Sequence, residues 1–327
     1  MCLEVLFNHL FLSVTSCVDT LSMLPKCGCK GIRSCAVCEV NSSIPDSFGQ
    51  QVSEFTFCSK CCIAEIEKSS LSGEAHTHEN GFSFPGVEVI QDFVSESEEA
   101  MLISAIDEQP WFLSQSGRRK QDYGPKVNFK RQKVHVGEFR GLPAYSKFLI
   151  TRYNNQLKEK IPPGQEFLPV ELCNLEYRSD RGACIVPHFD DSWLWGERLV
   201  TLNLCGSTCL TFTLPSNDII VNGINDEIQR IQSCLSREIL TDNTICIRVR
   251  LDRRSLVVVS GPARYLWQHE IRRSDIPTRR IAMTFRELSD IFTPRTHDNL
   301  TSEQTIGKEL LQIASTYNGR ICNKQSV

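Results

Sequence analysis

The segment PHFDDSWLWGERLVTLNL sets His188 two residues ahead of Asp190. On an extended strand, residues i and i+2 face the same side, so an imidazole nitrogen and a carboxylate oxygen can be aimed at one point. With a second imidazole they make the facial two-histidine, one-carboxylate set that takes non-haem Fe(II) and leaves coordination positions open. Chance alone gives about 0.4 such pairs in a chain of this composition, so the pair needs support from elsewhere. SLVVVSGPARYLWQHEI supplies His269 after an apolar strand and a turn, and RRIAMTFRE supplies Arg280 and Arg286, six residues apart. An even separation on one strand puts both guanidiniums on one face. On an interior face they are costly without an anion between them. A small dicarboxylate fits, because arginine forks match carboxylates bidentately. Taken alone, two solvated arginines on an edge strand are the commoner arrangement. With His-x-Asp and the later histidine present, the buried clamp is the better reading.

These residues need a strand-rich frame. From 168 onward the chain runs LPVELCNLEY, ACIVPHFD, RLVTLNLCG, CLTFTL, ICIRVRL, SLVVVSG and RRIAMTFREL, short strands separated by turn residues. That pattern predicts a sandwich, barrel or jelly roll. A polar, charged stretch at 215–240 reads as an insertion. Upstream, VEVIQDFV alternates like a strand. Ser95 with Glu98 three residues on makes a capping box for a helix. SQSGRRKQDYGPKVNFKRQK is aperiodic and predicts a loop or hairpin, while TSEQTIGKELLQIASTY at 301–317 predicts a closing helix.

At 327 residues the chain has room for one large domain and a small module. A net charge of -3 excludes a protein coated in basic residues. Of 16 cysteines, nine lie within the first 62 residues, so a disulfide framework through the whole chain is not expected. The first 26 residues lack a basic leader and carry Glu4, which argues against an export signal, and Met23 could be a working start. No stretch approaches the length of a membrane span, so no membrane partner is expected. In a reducing compartment clustered cysteines read as thiolates for metal. Cys35, Cys38, Cys58 and Cys61 form C-x2-C-x19-C-x2-C, a zinc spacing, with Cys27 and Cys29 as competing ligands. The expected organisation is an extension at 1–26, a Cys-rich zinc module at 27–63, a polar linker at 64–83, a catalytic domain at 84–290 and a helix and tail at 291–327.

The order CNLEY, His-x-Asp, distal His, then R-x5-R resembles the AlkB family of Fe(II)/2-oxoglutarate dioxygenases over roughly residues 84–290. The surrounding wording and the Cys-rich N-terminus are similar to the fourth animal branch of that family. The resemblance implies a mainly β, double-stranded β-helix (jelly-roll) core with flanking helices. It implies His188, Asp190 and His269 as iron ligands, with 2-oxoglutarate and O2 filling the open positions. Arg280 would then pair with the far carboxylate of 2-oxoglutarate, Arg286 would contact its keto-acid end, and Tyr177 would hydrogen-bond it. The family's Asn-x-Tyr pattern is broken, because Leu175 holds the Asn position. Asn174, carried over as a cofactor contact, lies one residue early, and strand parity turns it to the other face.

For the substrate, Arg118, Arg119 and Lys120 open a basic run that continues through Lys126, Lys130, Arg131 and Lys133 with Tyr123 and Phe129 among them. Such a run is a nucleic-acid footprint, an acidic-protein surface or a solvated face. Asp191, Trp193 and Trp195 follow the ligands and could receive a methylammonium by charge and cation–π attraction, or the tryptophans could simply pack in the core. The resembled branch implies demethylation of monomethyl-lysine in actin, supporting actomyosin function and cytokinesis, in cytoplasm and nucleus. Its second implied substrate is N6-methyladenine in DNA. The intact iron and arginine set argues against a non-catalytic zinc-bearing adaptor.

Overall fold

The computed structural model describes residues 28–29, 35–39, 52–66, 78, 81–158, 164–215, 219, 221–235, 244–293 and 300–321. Residues 1–26 and Cys27 lie outside them.

Two seven-stranded sheets carry the fold. The first runs, in spatial order, β10 (Ile185–His188), β15 (Gln268–Ile271), β12 (Thr208–Thr213), β13 (Thr244–Leu251), β1 (Val52–Cys58), β2 (Ile63–Glu65) and β3 (Gly81–Ser83). The second runs β4 (Val87–Ile90), β14 (Leu256–Val259), β11 (Trp195–Leu204), β16 (Arg280–Leu288), β9 (Pro169–Tyr177), β6 (Arg119–Tyr123) and β5 (Phe112–Leu113). Pairing is antiparallel throughout except between β1 and β13. This is the expected jelly roll. Leu210 and Ile271 of the first sheet and Leu199, Val257 and Val259 of the second line the space between the sheets, whereas Leu202, Met283 and Phe285 pack on the second sheet's other face. Among the described residues no helix is long and apolar enough to cross a membrane.

The expected module boundary does not hold. Phe55 and Phe57 of β1 alternate inward, β1 pairs with β13, and the expected linker supplies β2, β3 and the buried Phe82. The N-terminal segment thus extends the catalytic sheet, because its alternating aromatics need that sheet's core to be buried. The expected insertion contains a helix, Ile224–Cys234, which buries Ile231 and accepts the Trp267 indole N–H on Glu227. The basic run splits, with residues 119–123 forming β6 against β9 and residues beyond it forming a hairpin of β7 (Lys126–Asn128) and β8 (Lys133–His135).

The expected four-cysteine zinc set is also overturned. Cys35 and Cys38 lie with Cys29, whereas Cys58 and Cys61 lie with His78, as two separate groups. Cys35 and Cys38 flank the start of α1 (Ala36–Glu39), which sits on Gly182, just ahead of β10, while Cys58 ends β1. From β10 to β1 there are four inter-strand spacings, about 19 Å of sheet.

Helix α2 (Glu96–Asp107) begins at the expected box: the Glu98 N–H donates to Ser95 Oγ and the Ser95 N–H donates to Glu98 Oε2. Arg152 grips the same carboxylate at 2.6 Å and, with Ser95, lowers its pKa to about 2. A depressed carboxyl contributes stability above its unfolded pKa that is lost as pH falls through the folded value. Glu98→Gln should therefore cost about 1 kcal/mol at pH 7, allowing for its partial exposure. In urea titrations that difference from the parent should shrink as pH falls from about 4.5 towards 2. A pH-independent difference would mean that the Glu98 charge contributes nothing.

Candidate active site

The two sheets enclose a cavity of about 70 Å³ lined by His188, Asp190, His269, Tyr177, Arg280 and Arg286 together with apolar side chains. Strand parity builds its floor: Arg280, Ala282, Thr284 and Arg286 of β16 all face in. On the first sheet, β10 and β15 bring His188 and His269 opposite each other, with ring centroids 4.4 Å apart. Asp190 lies two residues beyond the end of β10 and not on it. Its position comes from elsewhere. Arg264, 1% exposed, donates to the carbonyls of Asp190, Trp195 and Gly196 and ties down the turn that carries Asp190.

The donor atoms of His188, Asp190 and His269 lie within 4.8 Å of one another. Asp190 Oδ2 is 3.4 Å from His269 Nε2, and Asp190 Oδ1 accepts the Arg286 Nε–H at 2.8 Å. Burial, and then neighbouring His269, push His188 down to about 3, so its imidazole is neutral. Burial alone would raise Asp190, but Arg286 and His269 outweigh it and hold the carboxyl well below the usual range. With this carboxylate, the imidazole nitrogens of His188 and His269 make the N,N,O set suited to Fe(II).

The register between β16 and β9 sets Arg280 opposite Tyr177 and Arg286 opposite Glu171. The two arginines therefore differ. Arg286 has protein anions on both sides, Asp190 and Glu171, each at 2.8 Å. The expectation that a guest carboxylate must neutralise it is corrected: the protein does so itself. Arg280 is 3% exposed, stacks 4.8 Å from the Tyr177 ring and donates Nε–H to Asn203 Oδ1 at 2.6 Å. Its Nη1 is buried with no hydrogen-bond partner. A buried, unpartnered guanidinium nitrogen in this cavity fits the carboxylate of a small diacid. Asn203 is oriented unambiguously, because its Nδ2 donates to the carbonyls of Gly206, Leu251 and Asp252. Thr201 and Thr284 add paired hydroxyls, 3.1 Å apart, to the same wall.

Several expected contacts fall elsewhere. Asn174 does not line the cavity; its Nδ2 donates to Gln121 and to the Tyr145 hydroxyl on the far face of β9, as parity requires. Arg118 is 5% exposed and lies 5.9 Å from the Tyr177 ring, while Arg119 grips Glu176 and Lys120 pairs with Asp122 at 2.7 Å. These three are ion-paired or buried on and beside β6 and do not form a free basic patch. Trp195 is buried 5.8 Å from Arg286 and belongs to the core. Trp193 is half-buried, with its indole N–H on Asp191 and its ring near Phe129. Asp191 is exposed and lines an outer depression of about 470 Å³ that shares Asp190 with the inner cavity.

The sequence reading missed Glu171, Arg264, Asn203 and the Thr201–Thr284 pair. Glu171 and Thr284 carried a signal, since they share strand parity with Tyr177 and with Arg280 and Arg286 respectively.

No family model matches the chain. It is 41% identical over 312 residues to the alpha-ketoglutarate-dependent dioxygenase alkB homolog 4 of Homo sapiens, covering 92% of this chain and 97% of that protein. The Mus musculus protein of the same name is 40% identical over 315 residues, with the same two coverages. A DNA N6-methyl adenine demethylase of Caenorhabditis elegans is 32% identical over 284 residues, covering 81% of this chain and 88% of that one. At this identity and coverage, with the jelly roll and the His–Asp–His cavity described above, the chain belongs to the AlkB family of Fe(II)- and 2-oxoglutarate-dependent dioxygenases.

Proposed function

We propose that this AlkB-type demethylase acts on methyl-lysine in protein, with monomethyl-lysine of actin, the target that the family resemblance implies, as its substrate. The observation that carries the reading is Asp191. It is the exposed charge in the outer depression, because Asp190 is paired with Arg286 and Arg264 is buried on three carbonyls. A methyl-lysine nitrogen is cationic near neutral pH and needs an anion beside it. Asp191, braced by the Trp193 indole, supplies that anion next to the metal ligands, and the Trp193 ring offers cation–π contact.

His188, Asp190 and His269 would hold Fe(II), and Arg280 with Tyr177 and Thr284 would hold the far end of 2-oxoglutarate. When bound, the metal and co-substrate supply the oxidation by O2 that converts an N-methyl to N-hydroxymethyl while 2-oxoglutarate becomes succinate and CO2. The hydroxymethyl then leaves as formaldehyde, its hydroxyl proton passing to the freed amine. Arg286 keeps Asp190 ionised and oriented, Arg264 fixes the turn behind it, and Leu199, Val257 and Val259 keep bulk water from the co-substrate.

A second reading, N6-methyladenine in DNA, is supported by the β7–β8 hairpin. Lys126, Lys130, Arg131 and Lys133 are exposed on it, and Phe129, 52% exposed, reaches towards Trp193. The relative named as a DNA N6-methyl adenine demethylase supports it as well.

His188→Ala should abolish succinate formation in a protein that still unfolds cooperatively. Arg280→Ala should raise the 2-oxoglutarate requirement roughly 30-fold or more, because a desolvated bidentate carboxylate contact is worth about 2–5 kcal/mol. Arg286→Ala should instead weaken Fe(II) retention first. Equal effects of both arginine changes on 2-oxoglutarate alone would remove this division of roles.

Methyl-lysine actin and N6-methyladenine DNA, treated side by side and read by mass spectrometry, test the substrate. Asp191→Asn should lower kcat/KM on methyl-lysine peptide by roughly 3–10-fold and leave uncoupled 2-oxoglutarate turnover nearly intact. If Asp191→Asn has no effect, while changing Lys130, Arg131 and Lys133 together abolishes a salt-sensitive DNA reaction, DNA is the substrate.

A further inference from the structure

We infer that the N-terminal cysteines build two zinc centres and not one, and that the first clamps the rim of the co-substrate cavity. Cys29, Cys35 and Cys38 form one centre, and Cys58, Cys61 and His78 form the other. None of the described cysteines is in a disulfide. Cys35 Sγ and Cys38 Sγ are 3.7 Å apart. A tetrahedral zinc with Zn–S bonds of about 2.3 Å sets its sulfurs about 3.8 Å apart. Backbone N–H groups point at the sulfurs, from Ser116 to Cys29 at 3.2 Å and from Cys35 to Cys38 at 3.1 Å. Such donors stabilise thiolate charge around a metal. At the other centre His78 Nδ1 lies 2.9 Å from Glu65 Oε2. Carboxylates are common neighbours of metal-bound histidines.

The first centre does more than fold its own segment. Ser116, which donates to Cys29, accepts the Cys184 N–H at 3.0 Å, and Cys184 leads directly into the strand carrying His188. A Cβ on Gly117 would lie 2.3 Å from the Arg181 carbonyl, and one on Gly182 would lie 2.6 Å from the Ala36 side chain. The 114–118 turn, the 178–184 loop and α1 are thus in direct contact around this centre. Arg118, at the end of that turn, lies over Tyr177 in the cavity wall. The second centre instead ties the β1–β2 turn to the segment entering β3.

The test uses the full chain. Native mass spectrometry after removal of exchangeable iron should find two zinc ions per chain. Cys38→Ser and Cys61→Ser should each lose one, and the double variant both. By hydrogen exchange Cys38→Ser should loosen 114–118 and 178–184, whereas Cys61→Ser should loosen 58–65 and 81–83. If a variant fails to fold, stepwise zinc release from the parent during thiol modification should run in two phases. A single zinc in the parent, no zinc at all, iron and sulfide in its place, or a single release phase would overturn the inference. So would equal loosening of 114–118 by both changes.

Discussion

The Asp190–Arg286–Glu171 array is the constraint on which the site depends. Arg286 donates to both carboxylates at 2.8 Å, and its burial is tolerable only because they are there. With Arg280 included, the cavity carries two guanidiniums and two carboxylates and is balanced as it stands. A divalent cation alone would add two positive charges to this low-dielectric space, and a dicarboxylate alone would add two negative ones. Together they cancel. The electrostatics therefore favour joint occupancy, and the protein's own charges need no rearrangement to accept it.

Position follows from register. Antiparallel pairing of β16 with β9 fixes Arg280 across from Tyr177 and Arg286 across from Glu171. A slip of one residue on either strand would turn the whole set into the opposite layer. The helices act on this from outside. Arg279, next to the clamp, points the other way and is gripped by Asp107 of α2 and by Glu176 of β9, which also holds Arg119. The ionic network on the back of the sheet thus pins the strand whose front face holds the co-substrate arginine.

What the sequence revealed and what it hid divide along the range of the interactions. Period-2 alternation is local, so the in-facing pair Arg280 and Arg286, the outward turn of Asn174 and the jelly roll were legible. So was the Ser95–Glu98 cap, which spans one helical turn. Arg119 and Arg286 were misjudged because their partners, Glu176 and Glu171, come from strand pairing and lie 57 and 115 residues away; the partner of Lys120, Asp122, lies two residues on along the same strand and was within reach of the period-2 pattern. The same cause split the cysteines: C-x2-C spacing identifies two ligand pairs, but only the pairing of β1 with β13 decides that they lie far apart. Arg264 left no local trace, since its partners are main-chain carbonyls.

The parallel pairing of β1 with β13 has a consequence for solubility. Without β1, strand β13 would end its sheet with an unpaired row of amides and carbonyls along TICIRVRL, whose Ile245, Cys246, Ile247 and Val249 are buried. Long apolar edges of that kind template association with other chains. The N-terminal segment closes this edge and passes it on to the three-residue strands β2 and β3, which are too short to recruit a neighbour. A catalytic core trimmed back to the expected boundary near residue 84 would keep every iron and co-substrate side chain and yet be prone to aggregate.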